Sequence, residues 1–282
     1  MNRNYFPPAD LYRSVCDRGL GVVRPLLAGG EDPHGWNTGS ARPPSYWAYG
    51  RLRSLMTLAK ARELLGGVPR RVLEVAAGDA ALGACLAREG HQVTANDLLE
   101  ENLLSSIARF TNGSDIHVLP GNLLEIDSSR CGLFDLVIAC EIIEHVAHSI
   151  EFLRHLKGLL GPQGRILLTT PNGRFFRNKL PTYSQVEDFT ALEKKQFKPD
   201  ADGHLFLITP DEMQQIAAAA GLKVDELSVW ATPFITGEAG FRHLGPLLPI
   251  SGWYGLERTA SRLPGAVRER MANAMIAVLS AA

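Results

Sequence analysis

Phe134-Asp135-Leu136-Val137-Ile138-Ala139-Cys140-Glu141-Ile142-Ile143-Glu144-His145 is the stretch in which the fold and the chemistry of this chain meet. Leu136 to Cys140 is an unbroken apolar run of strand length, too short and too rich in Val and Ile for a helix. It therefore reads as a strand buried on both faces. Such strands belong to parallel α/β sheets, whose ligands sit just beyond the carboxyl ends of the strands. Glu141, Glu144 and His145 follow that end directly, so the run delivers ligand or acid/base groups to a cleft mouth.

Strand and helix patterns alternate on either side of it. Upstream, Arg71 to Val75 reads as a buried strand, Ala76-Ala77-Gly78-Asp79 as a turn of small residues, and the next segment as a helix with Leu82, Cys85 and Leu86 on one face. A second strand runs from His91 to Ala95 and ends at Asn96-Asp97. A helix from Glu100 to Phe110 and a short third strand, Ile116 to Leu119, come next. Downstream lie a helix from Ser149 to Leu160 and a fifth strand, Arg165 to Thr169. Strands alternating with helices over residues 71 to 170 make a βαβ series, hence a doubly wound parallel sheet. A strand, small-residue turn and helix in that order bring backbone N–H groups close to a nucleotide-like ligand. Asp97, nineteen residues after Gly78, has the spacing of an acidic residue that binds a ribose.

Residues 1 to 44 are rich in Gly, Pro and Arg without periodicity and read as an irregular extension. From Ser45 a helical stripe of Tyr46, Tyr49, Leu52, Leu55, Met56, Ala59, Leu64 and Leu65 leads to a stop at Gly66-Gly67, with Arg51, Arg53, Lys60 and Arg62 off the stripe. This helix either packs on the sheet or uses Tyr46, Trp47 or Tyr49 to cover a ligand. The division expected is 1–66 as extension and capping helix and 67–282 as the main domain, with insertions at about 174–203 and 232–270. The first insertion is long and polar, carrying Arg174, Arg177, Lys194, Lys195 and Lys198, as expected of a lid or a disordered segment. Thr209-Pro210-Asp211-Glu212 opens a helix with a capping box and Pro at its first position. Leu222 to Trp230 and Met275 to Leu279 read as the last strands. The apolar and aromatic segment between them, with Phe234, Ile235, Leu247, Trp253 and Tyr254, is either a local core or the wall of a substrate pocket.

Composition narrows the function. Twenty-nine basic against thirty acidic residues, a net charge of −1, argue against a long nucleic acid as partner and for a small substrate. Cys16, Cys85, Cys131 and Cys140 are widely spaced with no CxxC pair, which suits reduced thiols in a cytoplasmic protein. Neither a secretory leader nor an apolar run of membrane-spanning length is found, and a homo-oligomer is compatible with the composition.

In order and spacing, Glu74-x-Ala76-x-Gly78, Asp97, Asn122 and Phe134-Asp135-Leu136-Val137 resemble the class I S-adenosylmethionine-dependent methyltransferases over about residues 67 to 230. The resemblance implies a Rossmann-like seven-stranded sheet, mostly parallel with an antiparallel edge strand. It implies that Glu74, Ala76 and Gly78 line the methionine moiety of S-adenosylmethionine, that Asp97 takes the ribose hydroxyls, and that Asn122 meets the adenine edge. Leu98, Leu123 and Cys140 adjoin these positions and belong to the same implied site. The chain departs from the family in having Ala76 and Ala80 where Gly is usual and Asn122 where Asp is usual.

Methyl transfer to a neutral hydroxyl needs a deprotonated oxygen aimed in line, and a divalent ion lowers the pKa of that oxygen. Two carboxylates and imidazole suit Mg, Mn, Fe or Zn. The Glu141-x-x-Glu144-His145 unit, followed fifty-nine residues later (204 − 145) by His204, is similar to ubiquinone-biosynthesis O-methyltransferases and to small-RNA 2′-O-methyltransferases. Carried over by position, Glu141, Glu144, His145 and His204 become metal ligands, with His145, His204 and Glu141 the catalytic candidates. Acidic residues also favour the first turn of a helix with no metal present, and His148 reads as a solvated helix-start residue. The expectation is an O-methyltransferase for a sugar, phenol or secondary metabolite, assisted by a divalent metal. The alternatives are a small-RNA 2′-O-methyltransferase and a non-catalytic S-adenosylmethionine-binding protein.

Overall fold

In chain order the elements are α1 (Pro44–Leu65), β1 (Arg71–Val75), α2 (Ala81–Arg88), β2 (Gln92–Asp97), β3 (Ile116–Pro120), β4 (Phe134–Cys140), α3 (Ser149–Gly158), β5 (Leu160–Pro171), α4 (Phe189–Glu193), α5 (Pro210–Ala219), β6 (Leu222–Trp230), α6 (Pro233–Thr236), α7 (Ile250–Ala260), α8 (Gly265–Met271) and β7 (Ala274–Ala281). This computed structural model describes residues 44–78, 80–101, 103–104, 116–127, 131–196, 203–236 and 250–282. The extension before residue 44, the end of the helix expected to reach Phe110, and Lys198 and Leu247 lie outside the described residues, as do the side chains of Tyr46, Trp47, Trp253 and Tyr254.

The strands form one seven-stranded sheet in the order β3-β2-β1-β4-β5-β7-β6. β1 pairs in parallel with both β2 and β4, β2 with β3, and β4 with β5. The antiparallel strand of the edge pair is β7, which lies between β5 and β6 and runs against both. The carboxyl ends of β1 to β6 therefore share one edge of the sheet.

Leu136 to Ala139 of β4 are buried on both faces of the sheet. Leu136 and Ile138 join a core with α1 and α2 side chains such as Met56, Ala59 and Leu86. Val137 and Ala139, pointing the other way, join Phe152, Leu153 and Met213 of α3 and α5. This alternation is the period of two that a pleated strand imposes.

Lys60, read as off the apolar stripe of α1, is only 1% exposed, with its Nζ 2.9 Å from Glu63 Oε1 and 2.9 Å from Glu226 Oε2 of β6. A buried ammonium needs such partners, and here they pin α1 to the edge strand. The polar segment from 174, expected as a lid or a disordered segment, is ordered over its described residues up to 196. Tyr183 packs on Phe189 and Phe206 with ring centroids 4.8 and 5.3 Å apart, and Thr182 bridges to Leu207. The capping box at α5 forms as expected, and Glu212 Oε1 additionally accepts from Ser184 N at 2.8 Å. In the later insertion, Glu257 of α7 is buried and accepts from Ala231 N, Thr232 N and Thr232 Oγ1 at 3.0, 2.9 and 2.7 Å. These bonds hold the left-handed turn at Ala231 (φ 68°) and tie α7 to the end of β6.

Candidate active site

The loop after β1 is built from small residues because its backbone turns the wrong way for larger ones. Ala76, Gly78 and Ala80 have φ of 51°, 55° and 49°, the left-handed region in which a Cβ is penalised. Ala77 N donates to Asn96 O and Gly78 N to Asp97 Oδ2, both at 2.9 Å, so the loop is clamped to the end of β2. Asp97 Oδ1 accepts from Leu99 N at 3.3 Å, while Leu98 stands largely exposed beside it. Buried Glu74 accepts from Gly83 N of α2 through Oε2 at 2.7 Å, and a Cβ at Gly83 would lie 2.6 Å from that oxygen. After β3, Asn122 Oδ1 caps a short 3₁₀ turn by accepting from Leu124 N at 3.2 Å, and its amide donates to Glu125 Oε1 at 2.9 Å. Leu123 is buried. Cys140 closes β4 with its thiol pushed up to about 12 by desolvation, so it is neutral.

The two glutamates after β4 part company. Glu141 is left-handed (φ 51°) and the 3₁₀ turn begins only at Ile143, so the two are not on one side of a helical turn. Thr169 and Thr170 then draw them to opposite faces of the sheet. Thr169 Oγ1 donates to Glu141 Oε1 at 2.9 Å on the α1 face, where Arg53 Nη1 lies 2.9 Å from Glu141 Oε2. Thr170 Oγ1 donates to Glu144 Oε2 at 2.9 Å on the α3 face. Glu141 thus stands in an Arg53–Glu141–Thr169 chain, outside the group of ligand atoms that converge at Glu144, His145 and His204.

Glu144, His145 and His204 do come together, with one potential ligand atom from each within 4.8 Å of the others. His145 and His204 meet edge to face at 5.0 Å between ring centroids, and His204 Nε2 lies 3.9 Å from Glu144 Oε1. His204 is carried there because Leu205 N donates to Glu144 O at 2.9 Å. Glu144 is fully buried, and its Oε1 makes no hydrogen bond among the described residues. Burial, and then the charge of Glu141, raise its pKa well above the carboxylate range, with the Thr170 hydroxyl and Arg53 opposing. A divalent cation would reverse that cost, since it supplies the missing partner for Oε1. His148 stays out of the cluster at the start of α3, with Nε2 2.6 Å from Glu193 Oε1.

Sequence reasoning missed Arg53, Thr169 and Thr170. The two hydroxyls could have been found as the polar pair interrupting an otherwise apolar strand end, Ile166-Leu167-Leu168-Thr169-Thr170.

Among known proteins, a family model described as a methyltransferase domain matches residues 46–227, well over half of the chain. A ubiquinone biosynthesis O-methyltransferase of Rickettsia felis is 33% identical over 102 residues, covering 36% of this chain and 41% of that protein. Another, from Aeromonas salmonicida, is 29% identical over 160 residues, covering 56% and 65%. The chain thus spans about two-fifths of the length of the first curated relatives it matches. Among solved structures, the CcbJ methyltransferase from Streptomyces caelestis aligns with a TM-score of 0.52 at 17% identity, over 92% of this chain and 96% of that one. Magnesium protoporphyrin IX methyltransferase from Synechocystis PCC 6803, crystallised with bound SAH, aligns with a TM-score of 0.53 at 12% identity, over 97% and 99%. These two likenesses are likenesses of fold.

Proposed function

This chain belongs to the methyltransferase-domain family of class I S-adenosylmethionine-dependent enzymes, and from that premise we propose that it methylates a hydroxyl of a small molecule, assisted by a divalent cation at Glu144, His145 and His204. The observation that carries the cation is the buried Glu144 Oε1, which makes no hydrogen bond among the described residues and lies 3.9 Å from His204 Nε2. Transfer to oxygen is supported by the curated relatives, which are named O-methyltransferases, and a small substrate by the near-neutral net charge of −1.

S-adenosylmethionine, when bound, supplies an electrophilic methyl group on a sulfonium. The residues present fit it. The Ala76–Gly78 loop offers close backbone approach, and the Asp97 carboxylate, already oriented by Gly78 N, retains lone pairs for a ribose diol. Leu98 and Leu123 would flank the adenine, with Asn122 at its edge. Glu74 would hold the loop to α2 from beneath, and Cys140 would offer a neutral thiol wall. A divalent cation, when bound, supplies Lewis acidity that lowers the pKa of a neighbouring hydroxyl. Thr170 fixes the Glu144 carboxylate for this task, and His145 and His204 complete the donor set. Methyl transfer from radiolabelled S-adenosylmethionine to a panel of catechols, phenols and sugars tests the reading. Label in a small hydroxylated acceptor, lost on chelation, is the expected result; label only in RNA or on nitrogen would overturn it.

A further inference from the structure

Ala147 is fully buried, and its backbone N–H is satisfied by no helix or strand but by the side chain of Gln196, forty-nine residues on, whose Oε1 accepts at 2.9 Å. Buried N–H groups demand an acceptor, so this bond is a structural requirement and not surface decoration. One turn before it in the chain, Glu193 Oε1 lies 2.6 Å from His148 Nε2. Both contacts run from the last residue of α4 and the third residue after it to His148 and Ala147, three and two residues after His145. The same segment is held from behind by Tyr183, Phe189 and buried Phe206. On the far side, Leu205 N is bonded to Glu144 O at 2.9 Å. His204 is therefore bracketed in the chain by two attachments, Leu205 to Glu144 on the turn that carries its companions and Gln196 to Ala147 two residues past that turn.

We propose that residues 189–196 act as a clasp and that Gln196 is a positioning residue, acting through His204, for cation binding by Glu144, His145 and His204. This rests on the reading of that trio as a cation site. Attachments at Gln196 and Leu205 restrict where His204 can go, so less conformational freedom is lost when it engages a cation. Detaching one side should weaken the cation without disturbing the loops after β1 and β2.

The test uses Mn²⁺ titrated into the full chain, followed by electron paramagnetic resonance, with SAH affinity measured on the same samples. Gln196→Leu, which removes the acceptor at similar size, should weaken Mn²⁺ about tenfold, the loss expected for one misplaced ligand attachment. SAH affinity should stay unchanged. Gln196→Glu, which keeps an acceptor at the same reach, should restore Mn²⁺ affinity. A merely structural role would move both affinities together or neither. Should Gln196→Leu fail to fold, Glu193→Ala at an exposed position carries the test, with a smaller loss of Mn²⁺ affinity expected. Wild-type binding of Mn²⁺ with no loss in either variant would overturn the clasp and leave the cation site standing. Absence of Mn²⁺ binding by the wild type would overturn both.

Discussion

Thr170 Oγ1 donates to Glu144 Oε2 at 2.9 Å, a bond that spans from the end of β5 to the turn after β4 and holds a fully buried carboxylate in place. Its neighbour Thr169 faces the other way and holds Glu141. One strand terminus thus sorts two glutamates, three apart in sequence, onto two faces of the sheet.

Thr170→Val keeps the shape and removes the donor, leaving a buried acceptor unpaired. Unfolding in urea should show a loss of roughly 1–3 kcal/mol, and Thr170→Ser should recover most of it. A valine variant as stable as the wild type would mean that the bond is not made.

Much of this was legible in the sequence, and what was not had physical reasons. The parallel strands stood out because burial on both faces leaves continuous apolar runs such as Leu136 to Cys140. Glu144 and His145 were visible as residue types at a strand end, and His204 through the family resemblance. The direction of Glu141 was not, because it depends on a left-handed φ at a non-glycine residue. The burial of Lys60 was not legible because its partner Glu226 is 166 residues away. The order in the segment after 174 was not legible because its contacts, Tyr183 on Phe189 and Phe206, follow no helical or strand period.

Asp97→Ala removes a carboxylate proposed to face the ribose and already bonded to Gly78 N. Hydrogen bonds to charged groups are worth roughly 1.5–3 kcal/mol each. Calorimetry should show SAH bound at least tenfold more weakly, and unchanged affinity would remove Asp97 from the cofactor site.

Ala76→Gly should behave against the usual trend for helices and strands. A left-handed conformation costs a non-glycine residue roughly 1–2 kcal/mol, more than the roughly 0.5–1 kcal/mol that glycine loses through its freer unfolded chain. Thermal unfolding should show the variant as stable as the wild type or more so, while Ala76→Val should be clearly destabilised.

Glu212 links stability to pH. Burial alone would raise its pKa, but hydrogen bonds from Ser184, Thr209 and Thr182 outweigh burial and leave it below the ordinary 4.5. A depressed folded pKa means that the unfolded state takes up the proton first. Its contribution is therefore complete above about pH 4.5 and lost as pH falls through the folded value. Glu212→Gln should cost about 1 kcal/mol near pH 7, the scale of a lost cap, and the two curves should converge as pH falls below the folded value. A gap that stays constant with pH would contradict this.

The most direct test of the account is the stoichiometry of Mn²⁺ on the purified chain and its dependence on single residues. One ion per chain is predicted, abolished by Glu144→Gln and by His204→Ala and retained in Glu141→Ala, since the Glu141 carboxylate is engaged by Arg53 and Thr169. SAH affinity should be unaltered in the Glu144 and His204 variants. Binding that is absent from the wild type, or that disappears with Glu141 while surviving the loss of His204, would contradict the site.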